Sequence, residues 1–513
     1  MEYAVILGYF AVLLGIGVVA SRRVHDLSDY YVGGKRMGYW VVAFSARASG
    51  ESAWLYLGLT GLGALVGARA FWVVVGEVVG VSLAWFLMAK PFKAATDQFQ
   101  SITIPDYFAS RFEGSGNQRA ARTLRLFAAA ALALFVTIYV SAQIDATGKA
   151  FDSFLGWNYY AGALVGFGIV VVYTLSGGFI AVAWSDLFQG ILMALGLTIL
   201  PVAAWLVLAP PTGTELTFAG LGEGYTSLWG AGGASLGNAL IIFSYLAIGL
   251  GFLGSPQVFV RFISIKGEDE IRAGRWVAIA FTVVTDSCAV AIGMIGHALL
   301  VGAGGDFAGV LGVDGEGVLP VMVASVFPPL IAGLYVAAVL AASMSTIDSL
   351  LLVASSALTR DVYQQLWRPD LLDRPLMGLS RLVTLALAAA ALAVALTVSF
   401  TNPDRTIFWY AIFGWSGIAA TFCPALILAL SWPRYHVHGA LASMVTGAVC
   451  IPLFKFAVPL LPEWGPLLSK AEELGPSFLL SLLAGVVVTL ASPKRLDSRK
   501  SSHETLASAR SRS

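Results

Sequence analysis

The chain has 513 residues, 58% of them hydrophobic and only 12% charged, with 31 basic against 30 acidic side chains and a mean hydropathy of +0.80. A soluble chain carries about 25% charged residues, whereas here the apolar residues fall in blocks of about twenty, the length that crosses roughly 30 Å of hydrocarbon; soluble enzymes and nucleic-acid binders are excluded. The near-zero net charge offers nothing to a polyanion, and Cys288, Cys423 and Cys450, all inside apolar stretches, support neither a disulfide framework nor a metal site.

The first apolar stretch, 3–20, has no basic segment before it and no small-residue cleavage site after it, so it reads as a retained span and not a signal peptide. Further spans are expected at 38–64, 71–89, 126–152, 160–177, 180–208, 236–260, 276–302, 319–357, 382–400, 406–430, 438–460 and 476–492, thirteen helices in all. Alternate loops hold roughly 25 Lys and Arg on one side against three (Arg69, Arg405, Lys470) on the other. By the positive-inside rule the amino terminus is outside and the carboxyl terminus cytoplasmic. The outer connectors 209–235 and 303–318 hold no basic residue, in the same register.

Charged groups within spans are costly and so are candidates for function. They are Arg47, Glu51, Glu77, Asp145, Lys149, Asp186, Asp286, Asp348 and Lys455. Asp145 and Lys149 have the i,i+4 spacing of a local ion pair, and Glu77, Asp286 and Lys455 also read as structural charges. The five histidines (His25, His297, His436, His438, His503) are scattered, with no catalytic or metal-ligand grouping.

Two spans look broken. The second runs Phe44-Ser-Ala-Arg-Ala-Ser-Gly-Glu-Ser-Ala-Trp54, small residues and two charges at mid-membrane, and the seventh runs Ile248-Gly-Leu-Gly-Phe-Leu-Gly-Ser-Pro256. Unwound backbone is tolerated in lipid only where it lines a protein-enclosed cavity, and discontinuous helices at matching places in two halves point to a transporter's binding site. The second break lies five spans after the first, an odd number, so the second copy runs the opposite way: an inverted repeat of spans two to six against seven to eleven. The chain then divides into 1–37 (first helix and basic loop), 38–208 and 209–430 (the two repeats), 431–492 (two peripheral helices) and 493–513 (a polar tail expected to be disordered). The ninth span carries Ala341-Ala-Ser-Met-Ser-Thr-Ile-Asp-Ser349. Hydroxyls and freed carbonyls of this kind hold a small hard cation without large net charge, although membrane Ser and Thr also commonly bond back to their own helix.

The run Asp29-Tyr-Tyr-Val-Gly-Gly-Lys-Arg-Met-Gly38, the segment Ser45–Trp54 followed by Gly58-Leu-Thr-Gly61, and Ile104-Pro-Asp-Tyr-Phe108 with Arg111-Phe-Glu113 resemble the sodium/solute symporter family, in particular its sodium/proline branch. So do Phe135-Val-Thr-Ile-Tyr139, Gly177-Gly-Phe-Ile-Ala-Val-Ala-Trp-Ser-Asp-Leu-Phe-Gln189, Gly251–Arg261, Ala341–Ser349 and Gly414–Pro424. The resemblance implies an all-α polytopic membrane protein with a LeuT-like 5+5 inverted-repeat core, working by alternating access. It also implies sodium held by the carbonyls of Ala48, Glu51 and Ala342 and the hydroxyls of Ser345 and Thr346, and an ion route past Asp186. Solute contacts are implied from Ser52, Trp54, Tyr139 and the Gly249–Pro256 region.

Three departures qualify this expectation. Gly50 stands where the proline branch has an aspartate, with Glu51 next to it. Arg47 is an addition one turn earlier. Ile248 and Phe252 replace a Trp and a Tyr of that branch, which makes the solute pocket larger and more apolar. The expected function is sodium-coupled import of a small organic solute, proline or another amino acid, in the cell's inner membrane. The partners are then the solute, sodium and lipid, with no organic cofactor, nucleic acid or obligate protein partner. The alternatives are a proton-coupled or ion-independent transporter of a sugar or carboxylate, with Glu51 titrating or Arg47 standing in for the ion, and a membrane sensor that does not transport.

Overall fold

A computed structural model describes residues 2–112, 118–208, 218, 220–371 and 373–492, the side chains of 373–375 excepted. The expected tail 493–513 lies outside the described residues, as does much of the connector that begins at 209. The described residues contain no strand, only one isolated backbone bridge between Met37 and Ile265.

The principal helices are α1 (Glu2–Ser21), α2 (Tyr39–Ala53), α3 (Thr60–Val66), α4 (Phe71–Leu83), α5 (Gln118–Leu155), α6 (Tyr159–Leu208), α7 (Leu236–Ala247) and α8 (Pro256–Ser264). There follow α9 (Glu268–Gly296), α10 (Pro329–Ser356), α11 (Asp373–Thr401), α12 (Ile407–Ser431), α13 (Val437–Pro452) and α14 (Leu474–Ala491). Their starts carry the expected signals: Ser235 accepts the Asn238 N–H ahead of α7, and Thr406 accepts the Trp409 N–H ahead of α12.

Continuous helical runs long and apolar enough to cross a membrane number eleven among the described residues. Two are too long for one crossing: Tyr39–Gln98 has 60 residues and Tyr159–Val207 has 49, about 90 and 74 Å at 1.5 Å per residue. Each contains a glycine in the left-handed region, Gly67 at φ 62° and Gly178 at φ 54°, where a side chain would strain the backbone. The chain can therefore reverse at these points. The figure of thirteen stays an expectation, since it follows only when both runs are divided there.

The centre of the bundle is set by burial. In the run Pro329–Trp367, 78% of the most apolar stretch is buried, and in Ile407–Ser431 89%, against 28% in Val437–Leu460. Thus α10 and α12 are core elements with most of their length buried against protein, while α13 and α1 expose apolar side chains such as Leu7, Val18 and Val449 outward, as a lipid-facing surface requires.

One expected local contact is replaced. Asp145 and Lys149 do not pair with each other: Asp145 binds Arg405 and the Tyr159 hydroxyl (2.6 Å), and Lys149 donates to the Arg405 carbonyl (2.8 Å) and lies 3.4 Å from Glu316. Both are drawn to the residues that precede α12, so spacing along one helix did not decide the partner. Lys455 pairs with Glu472 (3.1 Å) and Glu473 (3.3 Å).

Candidate functional site

The first break falls at Ser52, whose φ of 51° and ψ of −171° end the helical path of α2; such a conformation in a non-glycine residue stores about 1–3 kcal/mol. A π-helical turn, Trp54–Leu59, follows. The groups this frees are taken by other spans. The Ala48 carbonyl accepts from Ser345 Oγ (3.1 Å), the Ser49 carbonyl from Thr346 Oγ1 (3.3 Å), and the Ala53 N–H donates to Gln143 Oε1 (3.0 Å). Ser345 Oγ and Thr346 Oγ1 also each lie 3.2 Å from the Ala342 carbonyl.

Those distances matter for ion binding. The two hydroxyls have two protons for four carbonyl contacts, so the oxygens are richer in lone pairs than in donors. Oxygens 3.1–3.3 Å apart are also spaced as ligands about 2.3–2.6 Å from a common hard cation. Ala48, Ala342, Ser345 and Thr346, all expected as ligands, are thus brought together, and Ser49 joins them. The Ser49 carbonyl was not legible in the sequence because its role depends on which carbonyl the break turns toward Thr346.

Glu51 belongs by its side chain to a second, charged group. Arg47 binds Glu51 through Nε (3.0 Å) and Nη2, and Nη2 also reaches Glu77 Oε2 (3.0 Å). Carboxylate oxygens of Glu51, Glu77 and Asp286 lie within 4.8 Å of one another, and all four side chains are 0–1% exposed. Glu77 and Asp286, which the sequence reads as structural charges, therefore share the neighbourhood of Glu51. Thr285 Oγ1 donates to the Phe281 carbonyl (2.7 Å) and lies 3.1 Å from Asp286 and 3.4 Å from Glu51.

Asp186 is buried and accepts from Ser45 (2.5 Å), Ser49 (3.2 Å) and Arg261 (2.9 Å). Arg261, near the end of α8, also donates to Ser45 (3.0 Å) and Ser349 (2.5 Å). One guanidinium thereby stitches α2, α6, α8 and α10 together. The one charged residue in a nine-residue helix was the available signal for it.

The expected solute contacts Ser52, Trp54, Tyr139, Ile248 and Phe252 are all buried. The Tyr139 hydroxyl donates to Ser52 Oγ (3.3 Å), and the Trp54 indole meets Phe408 edge-on at 5.9 Å. At the second break, α7 passes into a 3-10 turn, Ile248–Leu253, before Pro256 opens α8. The Ile248 carbonyl accepts Trp415 Nε1 (3.0 Å), and Phe252 lies 5.0 Å from Trp415 and 4.5 Å from the Arg47 guanidinium. Beside Phe252 the vacated space is small. The space beside Phe252 is filled by Arg47, leaving a cavity of about 10 Å³, room for a single water. Gly50 fits the same exchange: a Cβ there would stand 2.6 Å from the Phe252 ring.

The sequence description "Sodium:solute symporter family" matches residues 30–447. The chain is 33% identical to the osmoregulated proline transporter OpuE of Bacillus subtilis, over 96% of this chain and 95% of that one. It is 34% identical to the high-affinity proline transporter PutP of the same organism, over 93% and 95%. Among solved structures, a sodium-coupled sialic acid symporter in a substrate-bound outward-open state overlays with a TM-score of 0.76 at 18% identity, covering 96% of this chain and 98% of that one. That likeness gives the LeuT-like fold of sodium symporters. With a cage of oxygens between α2 and α10 and a family description matched over most of its length, this multi-pass membrane protein belongs to the sodium:solute symporter family.

Proposed function

We propose that the protein is a secondary active symporter importing a small organic solute, proline or another amino acid, on the inward sodium gradient. The observation that carries this is the oxygen cage between α2 and α10, where Ser345 and Thr346 face the carbonyls of Ala48, Ser49 and Ala342. The Glu51 carbonyl, next along the same broken segment, completes the proposed ligand set. Sodium here is cargo, and no organic cofactor is invoked.

An ion in the cage ties α2 to α10, favours the outward-facing arrangement and pre-forms the pocket between the breaks. Solute then permits closure, and inward opening releases both. Asp186, bonded to Ser49 beside the cage, is the proposed way out for the ion. The relatives' printed activities support proline, and the loop charges support an external amino terminus with a cytoplasmic carboxyl terminus. Proteoliposome counterflow of radiolabelled proline, other amino acids, sugars and carboxylates, with and without Na⁺, tests the reading; sodium-independent exchange defeats it.

Ion-independent exchange, with Arg47 as a fixed cation, has one observation in its favour. The guanidinium already binds Glu51 and Glu77 beside the break. The same assay separates the two.

A further inference from the structure

Gln143 lies on α5 one turn beyond Tyr139 and is fully buried. Its Oε1 accepts the Ala53 N–H, the donor freed by the turn at Ser52. That bond fixes which way round the amide sits, because only the oxygen can accept. It leaves Nε2 without a partner in the protein interior. Capping Ala53 needs a single acceptor, so the cap accounts for one half of this side chain and leaves the other half unused by the fold. Buried amide donors are otherwise nearly always satisfied.

The unused donor stands at the break itself. Ala53, which holds the amide, is flanked by Ser52, bound to the Tyr139 hydroxyl, and by Trp54, packed on Phe408. We propose that Gln143 is a solute-contacting, specificity-determining residue whose Nε2 donates to the carboxylate of a zwitterionic amino or imino acid. This rests on the reading above that solute binds in the pocket between the breaks, against Ser52 and Trp54. A neutral amide can pair with a carboxylate without burying a second charge, and a charged acceptor makes the stronger hydrogen bond. Just before Ser52, Glu51 belongs to the group in which Glu77 Oε1 and Asp286 Oδ2 are also buried without partners. Acceptors there suit an ammonium group, so a solute carrying both signs fits where a simple anion does not.

The test uses the full-length protein in proteoliposomes with radiolabelled amino acids, L-proline first. Gln143→Glu keeps an acceptor for Ala53 N–H and removes the donor. It should raise the KM for the transported amino acid at least about tenfold, with kcat and the half-saturating Na⁺ concentration changed by less than about twofold. In wild-type protein, L-prolinamide, which lacks the carboxylate, and acetate, which lacks the amine, should not compete. An unchanged KM in Gln143→Glu overturns the proposal, and so does competition by L-prolinamide equal to that of L-proline. The competition arm needs no variant and decides the matter if Gln143→Glu fails to fold. Uptake that is independent of sodium but still shifted by Gln143→Glu defeats the coupling reading and leaves Gln143 in place. A wild-type protein that carries no amino acid overturns both.

Discussion

The two breaks in the bundle are stabilised by different chemistry. At the first, around Ser52, the freed backbone groups go to hydroxyls and an amide from α10 and α5, and a buried arginine with three carboxylates lies alongside. At the second, between Ile248 and Pro256, they go to an indole N–H and a thiol: Trp415 Nε1 to the Ile248 carbonyl and Cys423 Sγ to the Gly251 carbonyl (3.3 Å). The proline that follows has no N–H to satisfy. A polar break presents oxygens with too few donors, as a cation needs. An aromatic break presents shape and contact area, as an organic solute needs. The two breaks therefore differ in what their surroundings offer, oxygens at the first and apolar rings at the second, with Arg47 under Phe252 as the contact between them.

Removing that contact should have the largest effect. Arg47→Ala leaves Glu51, Glu77 and Asp286 buried with no cation among them, and breaking a buried pair in this way costs about 3–5 kcal/mol. Thermal unfolding in detergent should show the loss. Glu51→Gln should be milder, because Glu77 still holds the guanidinium. Arg47→Ala with Glu51→Ala should recover only the share of the loss that falls on Glu51, since Glu77 and Asp286 stay without a cation, and should lose sodium activation if Glu51 serves the ion. Full sodium activation in the double variant would make the pair purely structural.

The meeting of the two breaks can also be overfilled. Gly50→Ala sets a methyl group 2.6 Å from the Phe252 ring, which cannot swing away because Arg47 and Trp415 lie against it. Overpacking of this kind costs about 1–3 kcal/mol. Combining it with Phe252→Leu should lose less than the sum of the single changes, the mark of two residues in contact. Additive losses would mean that the breaks do not press on each other here.

How much of this was legible in sequence follows the same division. Both breaks could be read from Gly, Pro and small residues inside apolar runs, and Ser345 and Thr346 were singled out by their resemblance to the family. Partners chosen across spans could not. Asp145 pairs with Arg405 rather than Lys149, 260 positions away in sequence, because the turn before α12 brings the arginine over α5. Gln143 and Arg261 act through what they touch on other helices, and Gln143 carries no charge to single it out. The packing beside Phe252 was not legible because residue size is read one position at a time, while Gly50, Arg47 and Phe252 meet in one place.

The ion side of the comparison is sharpened by replacing Ser345 and Thr346 with Ala. The carbonyls of Ala48 and Ala342 stay, so the cage loses two of its oxygens and keeps its walls. Half-maximal uptake should need at least about tenfold more sodium, about 1.4 kcal/mol of ion binding, while solute KM at saturating sodium changes little. Unchanged sodium activation in correctly inserted protein would remove the ion from this face.

The smallest effect concerns the residues that cover Trp54 at the first break. Glu316 lies in the connector before α10; its Oε1 accepts the Phe408 N–H (3.0 Å), its Oε2 lies 3.4 Å from Lys149, and Phe408 rests on Trp54. Burial pushes the Glu316 carboxyl up to about 7, outweighing the pull of Lys149. The folded protein therefore keeps this proton up to about pH 7, whereas the unfolded chain releases it near 4.5. Between those values the folded state binds more protons, so stability falls as pH rises: the contribution is whole below the unfolded value and is lost through the folded one. From pH 6 to pH 7 the loss should be about 1 kcal/mol. Glu316→Gln removes the titration and should flatten the curve of unfolding temperature against pH in that interval. It keeps an acceptor for the Phe408 N–H, so Trp54 should stay covered and uptake at pH 6 should be retained. An equal slope in wild type and Glu316→Gln would place the titrating group elsewhere and separate the cover over Trp54 from any pH response.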